Sequence, residues 1–201
     1  MNLDRLSQRV RSLFLSPRTE WPVIAGEPAT VPDLYRDYIM VLAAVPPVCQ
    51  LVKTSLIGYA WHGFRVYRRG IGAGLTAAIV EYAVSLVAVY VLAIVVDTLA
   101  PHFNGQQNRV QALKVAAYAY TASWLAGFAR LLPELYVLIA LAGAGYSVYL
   151  LYLGLPSTMN VTAERSTPYT AVTVIIALVL GWIIALITGG VTGVTIGDNY
   201  G

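Results

Sequence analysis

Five apolar stretches, at about 38–62, 71–96, 113–132, 135–155 and 170–190, constrain this chain more than any other feature. Each is close to the ~20 residues that an α-helix needs to cross a ~30 Å hydrocarbon layer. A backbone in lipid must satisfy its own N–H and C=O groups, so such stretches fold as helices. The reading is an all-α membrane protein, a bundle of five transmembrane helices over 38–190. Composition agrees, because only 11% of the 201 residues are charged, against roughly a quarter in a water-soluble domain.

The first stretch contains Pro46-Pro47, which removes two backbone donors. It must kink there, or dip into the membrane and return. An arginine-rich turn, Phe64 to Gly70, joins it to the second, and the third and fourth nearly abut at Pro133 as a tight hairpin. The sizeable loops, 97–112 and 156–169, are each too small for a domain. That excludes an active site of ordinary size outside the membrane. The end, 191–201, is a short glycine-rich tail that continues a Gly189, Gly193, Gly197 spacing.

Residues 1–37 read as a cytoplasmic segment with no cleavable signal peptide. Leu3, Leu6, Val10, Leu13 and Phe14 recur at helical spacing, while Arg5, Arg9 and Arg11 fall mostly elsewhere. About 13 residues with three arginines cannot span. An amphipathic interfacial helix fits, with the arginines meeting anionic headgroups; the alternative is a surface helix packed on the protein itself. Ser16-Pro17 ends it, and Pro22, Gly26, Pro28 and Pro32 forbid a long regular element before the membrane.

Cations set the orientation. Arg5, Arg9, Arg11, Arg18, Arg36, Arg109, Lys114 and Arg165 fall on one side, outnumbering Arg65, Arg68, Arg69 and Arg130 on the other. The N-terminus is therefore expected in the cytoplasm and the C-terminus outside. The net charge of +3 is spread in small groups beside apolar spans. Lipid contact follows from that pattern, not nucleic acid.

Two ionisable groups lie well inside the spans. Counted from the turn that joins their helices, Lys53 and Glu81 both sit roughly 14–15 Å deep at ~1.5 Å per residue. Opposite charges at equal depth on neighbouring helices are natural partners, as an ion pair that fixes the bundle or serves a substrate. Arg130 and Glu134 sit near a helix end and snorkel or pair locally. Small residues at steps of three or four (Gly70, Gly74, Ala77, Ser85 and Ala88 in the second span, with Glu81 in the same stripe; Ala119, Ser123 and Gly127 in the third) allow close helix approach. Tyr146, Tyr149 and Tyr152 share a face of the fourth as packing or interface anchors. Cys49 is a lone packing residue. No catalytic, metal or cofactor motif is found: His62 and His102 lack ligand spacing, and phosphate-loop, zinc-protease and serine-hydrolase patterns are missing.

Several phrases, taken in order, are specific: LFLSPRTEWPVIAGEP, then PDLYRDYI entering the first span, VDTLAPHFNGQQNRVQALKVAAYAYTASWLAG leading into the third, and LYLGLPSTMNVTAERSTPYTAV leaving the fourth. With them the chain resembles the Yip (Ypt-interacting protein) family in its bacterial branch. Asp33, Leu34 and Tyr35 look like the family's Asp-Leu-Tyr motif. Tyr118 to Ala122, with Tyr120, occupies a second motif, but Ala122 stands where members commonly have proline. The resemblance implies a five-helix bundle of the bacterial inner membrane with a cytoplasmic N-terminus. The small-GTPase link of eukaryotic relatives does not carry over to a bacterium. The expected function is a non-enzymatic scaffold or accessory protein; the alternative is a small transporter or lipid-moving protein using Lys53 and Glu81. Expected partners are membrane lipids, anionic above all, and another membrane protein or a second copy.

Overall fold

Residues 3–61 and 65–191 are described by a computed structural model. Two short helices, α1 (Leu3–Leu15) and α2 (Pro17–Gly26), precede a composite helix α3 (Val31–Ile57) in which α-turns alternate with π-turns at Tyr35–Ile39 and Val52–Ile57. Strands β1 (Tyr59–Trp61) and β2 (Arg65–Tyr67) pair antiparallel, with Ala60 opposite Val66. Helix α4 (Ile71–Leu99) runs on into a 3-10 turn, Ala100–Phe103. Helix α5 (Arg109–Ala126) likewise continues as a 3-10 stretch, Gly127–Leu131. Helices α6 (Pro133–Met159) and α7 (Ala163–Val191) complete the bundle. The tail after Val191, with Gly193 and Gly197, and His62 lie outside the described residues.

Helix boundaries depart from the expected ones for local reasons. The first span begins at Val31 rather than 38, because Thr30 and Asp33 form a capping box and Pro32 occupies the first turn. It stops at Ile57 rather than 62, because Gly58 has φ 85°, a left-handed conformation that favours glycine. The helix passes Pro46-Pro47 with only a turn at Ala44, so it does not fold back. Ten residues between Ser16 and Glu27 are helical despite Pro22, with Pro17 suited to the first position. Most of both expected loops is helical too. Around 97–112 the chain is irregular only over 104–108, where the Asn108 side chain accepts from the N–H groups of Val110 and Gln111 and starts α5. Around 156–169 only 160–162 interrupt α6 and α7.

Among the described residues, four helices are long and apolar enough to cross a membrane: Val31–Ile57, Ile71–Phe103, Glu134–Met159 and Ala163–Ile184. Helix α5 is not among them, and its position accounts for its composition. Every residue from Ala112 to Ala119 is buried, so α5 meets protein and not lipid. A central helix needs small residues more than apolar ones. Close approach follows: a Cβ on Gly143 of α6 would lie 2.6 Å from the Ala126 Cβ and 3.0 Å from the Ala122 carbonyl oxygen. Beside it, Ser123 and Ser147 share a 2.8 Å hydrogen bond across the same interface. The outer walls are the reverse. Val137, Leu138 and Leu141 of α6, and Leu178 and Trp182 of α7, turn most of their surface outward.

Candidate functional site

Two polar centres flank α5, one at each end. At its start, the structure divides the three arginines expected at lipid headgroups. Arg5 and Arg11 are exposed. Arg9 turns inward and is held by both Glu20 and Glu27 of the α2 region, its Nη2 lying 2.6 Å from Glu27 Oε2. Its guanidinium carbon also lies 5.9 Å from the ring centre of Tyr118. Burial works against the Arg9 charge, but hydrogen bonding to Glu27 and the neighbouring fields outweigh it and raise the pKa above the ordinary arginine value. Leu13 is fully buried, and the Tyr146 hydroxyl donates to the carbonyls of Leu13 and Phe14 at 3.1 Å. Arg9 is therefore a protein contact and not a headgroup contact, because two carboxylates of its own chain meet it first.

Lys114 completes this lock. It is 2% exposed, and its Nζ donates to the carbonyls of Ile24 at 2.8 Å and Glu27 at 2.6 Å. Gln111 Nε2 covers the Ala25 carbonyl at 2.9 Å. The last carbonyls of a helix have no partner within it and carry partial negative charge, so a cation from α5 suits the end of α2. Read from sequence as a topology signal, Lys114 is in the fold a helix cap.

The family-motif positions tie the same region together. Asp33 caps α3, accepting from the Thr30 N–H at 3.2 Å, and Leu34 is buried. The Tyr35 hydroxyl donates to the Leu86 carbonyl of α4 at 2.8 Å. Tyr118 lies between Tyr38, 4.5 Å away by ring centres, and Trp21, 6.3 Å away, both edge-on. Tyr120 packs beside Trp124 at 5.7 Å and faces the second centre.

That second centre is a chamber of about 240 Å³, walled by Pro46, Glu81, Ser85, Trp124, Arg130 and Tyr136 among others. Arg130 Nη1 lies 2.7 Å from Glu81 Oε1 and donates to the Pro46 carbonyl at 3.1 Å. The guanidinium carbon is 5.9 Å from the Tyr136 ring centre. Trp124 Nε1 donates to Ser85 Oγ at 3.2 Å. Gly127 lets α5 close on the kink of α3, since a Cβ there would stand 2.8–2.9 Å from Pro46. The side chains of Glu81 and Arg130 keep 34% and 20% of their surface exposed, so the pair can be reached.

Glu81 was expected to pair with Lys53; its ion-pair partner is Arg130 instead. Equal depth for Lys53 assumed a helix running to 62. With the helix ending at Ile57, Lys53 stands only roughly 6 Å from that end, while Glu81 stands roughly 15 Å along α4. Lys53 is buried within its π-turn and has contacts of its own. Arg130 contacts Tyr136 of α6 nearby in sequence and also reaches across to Glu81 of α4 and Pro46 of α3. Its nearness to Pro133 pointed to a helix end, while Gly127, three residues earlier, was the available sign of a close crossing. Asp97, buried and 3.6 Å from Arg109, is a further ion pair that the sequence did not single out.

A family model described as the Yip1 domain matches residues 11–185, from within α1 to α7. Inner membrane protein YohC of Escherichia coli K12 is 29% identical over 180 residues, covering 88% of this chain and 92% of that protein. The same values hold for YohC of Escherichia coli O6:H1. No solved structure matches. The family match takes in Lys114 with its α2 partners, the motif positions and the chamber, though not Arg9, and with the apolar helices it makes this chain a membrane protein of the Yip1-domain family.

Proposed function

We propose that this chain is a non-enzymatic accessory protein of the bacterial inner membrane that organises membrane-embedded partners or the lipid around it. The carrying observation is the distribution of surface: α4, α6 and α7 face outward with large apolar side chains, while the polar groups turn inward on α5. In this reading α5 is a fifth crossing. Its 18 residues rise about 27 Å, and the 3-10 stretch adds the remainder. The N-terminus is cytoplasmic and the C-terminus external. With Arg9, Lys114 and Arg130 serving the protein itself, exposed Arg5, Arg11, Arg18, Arg36, Arg109 and Arg165 still favour that side. The inner-membrane name of the YohC relatives supports the compartment.

Photo-crosslinking residues placed at Leu138 and Leu178 in native membranes test the scaffold role. A discrete protein adduct of constant mass, a partner or a second copy, is expected. Lipid adducts alone along both walls would contradict it. A second reading, a lipid-handling protein, is favoured by one observation: the Glu81–Arg130 pair borders a chamber instead of packed side chains.

A further inference from the structure

We infer that the Glu81–Arg130 chamber is a binding site for the zwitterionic headgroup of an ethanolamine phospholipid, with an acyl chain in the groove beside it. The inference rests on the lipid-handling reading and gives it a ligand. The bonds of Arg130 to Glu81 and to the Pro46 carbonyl share one nitrogen, Nη1, and Tyr136 is a third hydrogen-bond partner. A guanidinium carries five N–H donors in a fork, more than these three partners use, so donors remain for an oxyanion in the chamber. Phosphate is the membrane anion that matches that fork. Glu81, a third exposed, stands 2.7 Å from the same guanidinium and offers a carboxylate to a cation one headgroup length away. A ligand with adjacent anion and cation therefore complements the pair without breaking it. An anionic lipid would bring its phosphate to Arg130 with no cation for Glu81. A primary ammonium can hydrogen-bond to the carboxylate, which a quaternary one cannot.

The apolar part of the site adjoins the polar part. A second cavity, of about 170 Å³, is lined by Leu92, Leu151, Val174 and Leu178 among others, and it shares Tyr120 and Ser123 with the chamber as walls. Its polar lining is slight: Tyr120 and the paired hydroxyls of Ser123 and Ser147. Val148 and Val174 in turn belong to an open groove between α6 and α7 that carries Tyr149 and Tyr152. The polar chamber and the apolar cavity thus meet at Tyr120 and Ser123, and the cavity adjoins the groove at Val148 and Val174, in the order headgroup then chain. Charges at this depth are costly in hydrocarbon unless they face partners or a polar cavity. A headgroup drawn into the chamber supplies both.

Native mass spectrometry of the full-length, delipidated protein in detergent tests this. The probes are dioleoyl phosphatidylethanolamine, phosphatidylcholine and phosphatidylglycerol, with soluble phosphoethanolamine and inorganic phosphate as headgroup-only arms. One phosphatidylethanolamine is expected to bind about tenfold more tightly than either other lipid, the value of one charge-assisted hydrogen bond. Arg130→Gln should weaken it by about tenfold or more, and Glu81→Gln should abolish the preference over phosphatidylglycerol. Ala144→Phe narrows the second cavity, which Ala144 lines, and leaves the ion pair alone. It should weaken the lipid but not phosphoethanolamine, and it decides the matter if an ion-pair variant fails to fold. Equal binding of the three lipids, or of wild type and folded variants, would overturn the site. So would phosphate or phosphoethanolamine binding as tightly as the lipid, which marks a free-anion site. Failure of the lipid-handling reading looks different: fluorescent lipid would stay in its leaflet in reconstituted vesicles while the one-to-one complex remained intact.

Discussion

Lys114 and Arg130 are cations on one continuous helical element, near its two ends, and their surroundings are opposite. Lys114 is 2% exposed and donates into the carbonyl end of α2. Arg130 keeps a fifth of its side chain exposed and bonds Glu81, the Pro46 carbonyl and Tyr136 beside a chamber. A fully buried cation whose donors meet fixed backbone acceptors holds a fold together and has nothing to offer a ligand. A cation that is only partly satisfied and can be reached is able to exchange partners. Lys114 is therefore structural, whereas Arg130 borders a chamber in which its charge can meet a ligand.

The largest effect separating the two regions belongs to the lock. Lys114→Met strips the buried Ile24 carbonyl and the partly buried Glu27 carbonyl of their donor. A loss of roughly 3 kcal/mol or more follows, at 1.5–3 kcal/mol for each bond to a charged group. Thermal unfolding in detergent would show it, and an unchanged midpoint would mean that α2 does not depend on α5. Gly143→Leu comes next. A side chain there must enter the space of Ala126 and the Ala122 carbonyl, at a cost of about 1–3 kcal/mol. Full stability of that variant would contradict the close crossing of α5 and α6.

A smaller effect divides the N-terminal arginines. Arg9→Gln should destabilise the protein while leaving its affinity for anionic vesicles nearly unchanged, because Arg9 faces Glu20 and Glu27. Arg5→Gln with Arg11→Gln should do the opposite, costing about 1 kcal/mol of vesicle binding per residue and no stability. Melting curves and vesicle flotation on wild type and these two variants read both arms. Identical behaviour of Arg9 and Arg5 would return α1 to the membrane surface.

How much of this was legible follows from what each signal reports. Hydropathy marks a helix that faces lipid, so the stretches at 71–96, 135–155 and 170–190 were plain. The same measure underrates α5, whose alanines, Lys114 and tyrosines face other helices. The pattern of α1 was also legible, since periodicity needs no tertiary knowledge. Which of its arginines would turn inward was not, because Glu20 and Glu27 reach Arg9 only through the fold of α2. The ion pair failed on one local feature. Gly58 ends α3 five residues early, and a depth argument built on chain counting carries that error directly to Lys53. Glu81 itself was recognisable, as a carboxylate in an apolar run has to find a partner; that Arg130 supplies it depends on Gly127 and Pro46 meeting.

The pairing of Glu81 with Arg130 is the claim on which the chamber depends, and a double-mutant cycle measures it. Thermal stability in detergent would be compared for wild type, Glu81→Gln, Arg130→Gln and the double variant. The two groups share a 2.7 Å contact, so the losses should be non-additive, with a coupling of about 1 kcal/mol or more, and the double variant should recover part of what each single one loses. Additive losses, or a comparable coupling of Glu81 to Lys53 in a parallel cycle, would contradict this arrangement.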